Sequence, residues 1–439
     1  MADTALGSLD HLITQLDRLV PTGRLGIAVS GGGDSMALLA MSQIWAQRQG
    51  REIAAVTVDH HLRKDSADEA QMVAAFCRGK NIPHTTLQVL SLPTKGNLSA
   101  NAREARYSLM ADWAGDHDIP ALALGHTQDD QAETVLLRLA RGAGVDGLSA
   151  MAEARPWKGV DWLRPMLGLA RLDLRVWLRG KAIPWFEDPT NEDEKYDRVK
   201  ARKALSLLAP LGVEPENLAA TAERLQLQRE ALDHACAGLA AACADIGVLG
   251  EIIIRPAALA DGPIELQRRL LAQALVRVSG RSYAPRHRAV MPVLLGLTKP
   301  GFKGATLGGC LIRPFNGRIL ICREPAAASQ RLEQWDAQPC WDDRWHVSVP
   351  WRQGLQITAL GPDGVKHLRY AAENGWAPPG MWQKTSRDVL LTLPAVWSQS
   401  DGDPPCLAAV PPLDYLDSTV GANAAWTAEL AMRHDAPFW

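Results

Sequence analysis

Residues 25–45 read LGIAVSGGGDSMALLAMSQIW. A short apolar run, LGIAVS (25–30), meets three consecutive glycines and then an apolar stretch with helical character. Strand, glycine turn and helix in immediate succession describe one β–turn–α unit. The pattern recurs. IAAVTVD (53–59), HTTLQVL (84–90) and PALALG (120–125) read as further strands, with helical stretches over about 35–49, 66–80, 98–117 and 129–140. Alternating β and α segments of this size predict an α/β fold with a doubly wound, mostly parallel sheet covered on both faces. In such sheets ligands bind beyond the carboxyl ends of the strands, so the residues just after each run are the functional candidates.

The chain has 439 residues, 47% of them hydrophobic and 22% charged, enough for more than one core. The start, MADTALGSLDHLITQLDRLV, has acids and no basic run, which predicts an amphipathic helix and no leader peptide. No run approaches ~20 apolar residues, so no membrane span is expected. Seven cysteines without a C-x-x-C pair support neither a disulfide framework nor a zinc ribbon. Beyond residue 209 the texture becomes helical (217–246, 264–279), then β-rich from about 304, where Asn316-Gly317 predicts a hairpin turn. The segment 326–340 reads as a connector or lid rather than a core element, and a small β-rich domain with tryptophans in its core is expected at the end. These shifts divide the chain at 1–208, 209–325 and 326–439. The net charge is only −2, yet Arg277 to Arg323 holds nine basic residues and no acid, which suggests a polyanion partner.

Three motifs follow the strands. Ser30-Gly31-Gly32-Gly33-Asp34-Ser35 is a backbone nest: the glycines permit positive φ and close approach, and a helix N-terminus adds partial positive charge. No Gly-Lys-Ser/Thr follows, so it is not a Walker loop. Asp34 can hold Mg²⁺ or an ammonium. After the second strand stands Val58-Asp59-His60-His61-Leu62-Arg63, whose adjacent histidines point opposite ways in an extended chain and do not make one metal site. In GNLSANAREARY (96–107), Arg103 and Arg106 share a helix face; surface pairing with Glu104 and Asp112 would account for them without any function. GHTQDDQAET (125–134) places Asp130 and Glu133 on the first turns of a helix, where helix capping alone would account for the acids.

Together with RPML (164–167) and FEDPTN…Y.R (186–198), these motifs closely resemble the tRNA(Ile)-lysidine synthases, within the N-type ATP pyrophosphatase superfamily; the likeness covers about 24–208 and is looser beyond. It implies an adenine nucleotide α-hydrolase-like fold, a helical linker domain and a small C-terminal α+β region. It implies a cytoplasmic ligase that uses ATP, Mg²⁺ and free L-lysine to modify the wobble cytidine of an isoleucine tRNA with a CAU anticodon; dimers are common in the family. By resemblance, Ser30, Gly31, Gly32, Gly33, Asp34, Ser35 and His126 bind ATP, with Asp34 on the metal. Asp34, Asp130 and Glu133 bind lysine, Asp130 being the expected base, and Arg106 stabilises phosphate or adenylate charge. Arg198, Lys200 and Arg202 contact tRNA, although Val199 and Lys200 depart from the family's R-N-R-x-R pattern. A tRNA thiolase with the same loop is the nearest rival, but Cys77 is the sole cysteine in the first 235 residues. A non-catalytic RNA-binding relative would tolerate loss of the acidic residues, and a small-molecule synthetase would not need the basic C-terminal half.

Overall fold

The computed structural model describes residues 2–20, 22–59, 66–89, 98–187, 193, 195–281, 283–297, 299, 301–335, 339–398, 405–413, 415–416 and 427–430, without the side chains of 2–6, 66–67, 98–101, 416 and 430. His60, His61, Gly96 and the Asp-Pro-Thr-Asn part of FEDPTN lie outside the described residues. The chain forms two compact units, Met1–Glu230 and Ala231–Trp439. No described helix is long and apolar enough to cross a membrane.

The first unit runs α1 (Ala2–Leu19), β1 (Leu25–Ala28), α2 (Gly33–Gln49), β2 (Ile53–Asp59), α3 (Ser66–Gly79), β3 (His84–Gln88), α4 (Leu98–Asp116), β4 (Ala121–Ala123), α5 (Gln128–Ala140), α6 (Val145–Leu148), β5 (Ala154–Trp157), β6 (Val160–Leu163), α7 (Arg171–Gly180) and α8 (Asp197–Leu208). The strand order is β3-β2-β1-β4-β6-β5, parallel except for the hairpin partner β5. Strand alternation sorts the two faces. Leu25, Ile27, Ile53, Ala55, Ala121 and Ala123 pack into a core with Leu12 and Leu16 of α1, Leu38 and Met41 of α2, and Leu174 and Trp177 of α7. Ala54, Val56, Leu122 and Leu124 point the other way, onto Met110, Trp113 and Ala114 of α4. This is the doubly wound arrangement expected. The β5–β6 hairpin is an addition to it: ARPW and VDWL are too short and mixed to stand out in sequence, and β6 is recognisable only by its place beside β4.

The helix α9 (Pro215–Cys243) is continuous across the boundary of the two units. The second unit continues with β7 (Ala244–Ile246), β8 (Ile252–Ile254), α10 (Pro256–Ala260), α11 (Ile264–Ser279), α12 (His287–Leu297), β9 (Ala305–Leu307), β10 (Cys310–Phe315) and β11 (Arg318–Arg323), whose strands form one sheet in the order β7-β8-β11-β10-β9. Asn316 and Gly317 turn the β10–β11 hairpin with φ of 49° and 72°, the left-handed pair that an Asn-Gly turn supplies. Beyond it lie β12 (Cys340–Trp341), β13 (Trp345–Ser348), β14 (Leu355–Ala359), α13 (Gly361–Glu373), α14 (Arg387–Leu390), β15 (Pro394–Ser398), β16 (Cys406–Val410), β17 (Tyr415–Leu416) and β18 (Thr427–Leu430), in two antiparallel sheets. Trp341 and Trp345 are fully buried there, so these tryptophans serve the core.

Candidate active site

The glycine motif forms the connection from β1 into α2. Gly31 has φ of +86°, a conformation that a side chain would strain, and Gly32 is the extended residue before the helix. The turn is held internally: Ser35 Oγ donates to the Gly32 carbonyl at 2.9 Å, and the Ser30 amide donates to Ser35 Oγ at 3.2 Å. The first intrahelical bond is Met36 N–H to Gly32 O at 3.0 Å. The preceding helix amides therefore have no acceptor within the helix, and among the described residues no side chain at the N-cap closes them. A row of N–H groups at a glycine-rich helix start is an anion seat. From the far side the Phe186 amide donates to Gly31 O at 2.9 Å, and Trp185 packs against Gly33.

Beside this seat lies an acidic cluster drawn from two helix starts. Asp34 projects from the first turn of α2, and Asp130 and Glu133 from α5. All three meet the guanidinium of Arg171, the first residue of α7: Nε contacts Asp34 Oδ2 at 3.0 Å, Nη2 contacts Asp130 Oδ1 at 3.3 Å and Nη1 contacts Glu133 Oε1 at 3.4 Å. The Arg171 amide donates to Asp129 Oδ2 at 2.8 Å, which caps α7 and fixes where the arginine begins. From α8, Arg198 approaches Asp130 Oδ1 at 3.4 Å, and Arg202 approaches Glu133 Oε1 at 3.0 Å. Three carboxylates thus meet three guanidiniums in direct contact, with Asp129 held on the Arg171 amide beside them. Two acceptors, Asp34 Oδ1 and Glu133 Oε2, are buried without a partner among the described residues. Leaving such an atom unmatched costs about 1–3 kcal/mol, which a bound cation would recover.

The environment separates the two aspartates. Burial pushes the Asp34 carboxyl above its ordinary value, and Arg171 only partly opposes this. Burial also presses Asp130 upward, but Arg171, the Thr127 amide and Arg198 together hold it below the usual carboxylate range. Both Asp130 oxygens are committed, since Oδ2 accepts from the amide and hydroxyl of Thr127 at 2.9 Å each in a capping box. Capping and cluster membership are both true of this residue. His126, on the turn after β4, is driven to about 3 by burial and by the nearby Arg164, Arg198 and Arg103, against the pull of Asp130, so it is a neutral ring.

The PP-loop domain family matches residues 5–208. A tRNA(Ile)-lysidine synthase of Ruegeria pomeroyi is 40% identical over 424 residues, covering 96% of this chain and 94% of that protein. The chain belongs to the tRNA(Ile)-lysidine synthase family. Members from Hyphomonas neptunium and Wolbachia pipientis wMel are 36% and 32% identical, over 74% and 76% of this chain and 85% and 79% of their own lengths. The sulfur-transfer reading also lacks a nucleophile here: Cys77 is buried in the sheet core, and burial pushes its thiol up to about 11.

Within this lysidine synthase family member, the residues singled out from sequence fall into separate groups. Asp34, Asp130 and Glu133 come together, next to Ser30–Ser35. Arg106 and His126 lie at the same edge of the sheet, with Arg198 among the charges acting on both. Arg198 and Arg202 share one face of α8 and turn toward the carboxylates, about two-fifths exposed, whereas Lys200 faces Asp197 at 3.9 Å on the opposite side. Val199, where the family pattern has asparagine, is buried. Arg103 and Arg106 both engage Tyr107 rather than the acids Glu104 and Asp112. Sequence reasoning missed Arg171 and its positioning partner Asp129. Arg171 is one of four arginines between residues 164 and 179, and no spacing distinguishes it. The signal that could have found it is indirect: three carboxylates in one buried place require a cation.

Proposed function

We propose that this chain makes lysidine at the wobble cytidine of an isoleucine tRNA with a CAU anticodon. ATP adenylates the C2 carbonyl oxygen of the base and releases pyrophosphate; the ε-amine of free lysine then attacks C2, and AMP leaves. The reading is carried by the convergence of Asp34, Asp130 and Glu133 on a single guanidinium beside an uncapped glycine-loop helix. A seat for positive charge stands next to a seat for phosphates, as a reaction joining a nucleotide and an amine requires. A pyrimidine carbonyl is a poor electrophile, and adenylation turns its oxygen into a leaving group.

Lysine arrives as an ammonium, with a pKa of ~10.4, and must lose a proton before it attacks. Asp130, the base expected from sequence, is poorly suited: Thr127, Arg171 and Arg198 occupy its oxygens and stabilise its ionised form. Glu133 retains Oε2, buried and unpartnered, and is the better acceptor for the ammonium hydrogen and then the proton.

Asp34 Oδ1 is the other open oxygen, and it lies beside the glycine loop. That suits Mg²⁺, which takes one or two carboxylates together with substrate phosphates; no cluster of three or more metal-ligating side chains occurs among the described residues. Bound there, the ion would offset charge on the nucleotide phosphates. Arg106 and a neutral His126 would face the adenylate, and Arg198 and Arg202 the tRNA. ATP, lysine and tRNA meet in the cytoplasm, where buried free thiols such as Cys77, Cys236 and Cys310 stay reduced.

Nucleoside mass analysis of the CAU-anticodon tRNA after incubation with protein, ATP, Mg²⁺ and lysine tests this. A cytidine heavier by the lysine adduct, formed with AMP and pyrophosphate, is expected. Pyrophosphate release without the adduct would refute lysine as the nucleophile, and neither product from folded protein would refute the activity.

A further inference from the structure

The carboxyl edge of the sheet carries a second charged cluster, opposite in sign to the first. Arg103 and Arg106 lie on α4, and Arg164 directly follows β6. Tyr107 is their common neighbour. Arg103 Nη2 donates to Tyr107 Oη at 3.0 Å, the Arg106 guanidinium lies 5.6 Å from the centre of its ring, and Arg164, whose Nη1 donates to the Ala152 carbonyl at 2.9 Å, lies within electrostatic reach of Arg103 and Tyr107. Among the described residues none of the three has a carboxylate partner. Arg106 Nε, Arg164 Nε and His126 Nδ1 are buried with no hydrogen-bond partner. Tyr107 packs on Trp162 with ring centroids 4.5 Å apart and meets Trp157 edge-on at 6.3 Å. The cluster is cationic, rich in unmatched donors and walled by aromatics. Several acceptor oxygens on one anion would complete it, and a phosphate presents them in the geometry that arginine forks match.

Its place in the sheet selects the phosphate. The glycine loop follows β1, His126 follows β4 and Arg164 follows β6, three neighbouring strands. Strands lie ~4.8 Å apart, which puts Arg164 about 10 Å across the sheet from the loop. A phosphate held by Arg164 is therefore a different group from one held by the loop amides. We propose that Arg103 and Arg164, beside Tyr107 and next to the Arg106 and His126 that face the adenylate, form a phosphate site that holds a backbone phosphate of the RNA beside the nucleotide being modified. A base splayed from a single-stranded loop needs its backbone fixed on either side, and this site supplies one such anchor. The assignment rests on the tRNA-modifying reading above.

The test is equilibrium binding of a CAU anticodon stem-loop to the full chain, without ATP or lysine, across a salt series. Arg103→Gln and Arg164→Gln should each weaken binding about tenfold and flatten the log–log salt dependence by about 0.7. One methylphosphonate linkage next to the target cytidine should cost the native protein about tenfold and the Arg164→Gln variant almost nothing, since both remove the same contact. Pyrophosphate affinity, read separately by calorimetry, should be equal in all three proteins. Native RNA affinity and slope in folded variants would overturn the site. A tenfold rise in the pyrophosphate dissociation constant with unchanged RNA binding would overturn the RNA assignment. Arg103 is exposed, so Arg103→Gln decides the matter alone if Arg164→Gln does not fold. Binding requires no turnover. Loss of these effects alongside lysidine formation would refute only the site; their presence without lysidine would refute only the activity.

Discussion

Replacing Arg171 with methionine keeps most of the length of the side chain and removes the charge on which Asp34, Asp130 and Glu133 converge. Three contacts of 3.0, 3.3 and 3.4 Å are lost at once, and the carboxylates retain only Arg198 and Arg202. Removing one partner of a buried ion pair costs about 3–5 kcal/mol. Because Asp34 is 22% exposed, solvent screens part of the change, and the lower end applies. For a unit the size of Met1–Glu230, each kcal/mol moves the midpoint by about 2–4 °C, so calorimetry should show its transition about 6–12 °C lower at pH 7. The pH dependence identifies the cause. Asp130 is held below its ordinary 3.8 in the native fold, so its contribution is present above that value and lost as pH falls through the folded value. Once the guanidinium is gone, the Asp130 carboxyl protonates at higher pH. The gap between native and variant should therefore be full at pH 7 and close as pH falls below about 4. A gap under about 2 °C at pH 7, or one that persists unchanged well below about pH 4, would show that the guanidinium does not hold the cluster together.

Glu133→Gln should leave pyrophosphate release intact and reduce lysidine formation at least a hundredfold, with adenylated tRNA trapped, while Asp130→Asn should slow transfer through misplacement and retain measurable turnover; equal loss in both would remove the distinction between acceptor and positioner. Gly125→Ala would place a methyl 3.1 Å from the backbone of Ser35, pushing on the start of α2, and should weaken ATP at least tenfold by calorimetry; Gly33→Ala meets only the Trp185 ring at 3.4 Å and should do less. His126 is neutral in the folded protein above about 3 but charged in the unfolded chain below 6.5, so the stability it confers above 6.5 is lost as pH falls. The first unit should lose stability between pH 7 and 5, and His126→Gln should flatten that slope. An unchanged slope would mean that His126 titrates normally.

What was legible in the sequence followed from short-range rules. IAAVTVD, the glycine turn and the Asn316-Gly317 hairpin each carry their geometry in consecutive residues, and the structure reproduces them. The strand ends were overextended: HTTLQVL continues to residue 90 in the pattern but ends as β3 at Gln88, because apolar alternation outlasts the pairing with β2. Long-range electrostatics were the hidden part. The acid-free span from Arg277 to Arg323 reads as unopposed charge, yet Arg313 pairs with Asp388 at 2.6 Å, Arg318 with Asp245 at 3.2 Å and Arg323 with Asp342 at 2.6 Å, acids that lie outside the span in sequence. In the first unit the direction of Arg198 and Arg202 was equally invisible. Their i, i+4 spacing establishes a shared face, but only the packing of α8 beside α5 shows that the face looks onto carboxylates.

The hydrogen bond from the Phe186 amide to the Gly31 carbonyl, with Trp185 seated on Gly33, ties the stretch after α7 to the glycine turn as a strut ties to a frame. Gly31 has no freedom to rotate its carbonyl without either breaking that bond or carrying Phe186 with it. Phe186 in turn stands only six residues beyond the end of α7, the helix that opens with Arg171. The span from Arg171 to Phe186 therefore joins the guanidinium that gathers three carboxylates to the backbone of the glycine turn, so a displacement at either end is borne by the other.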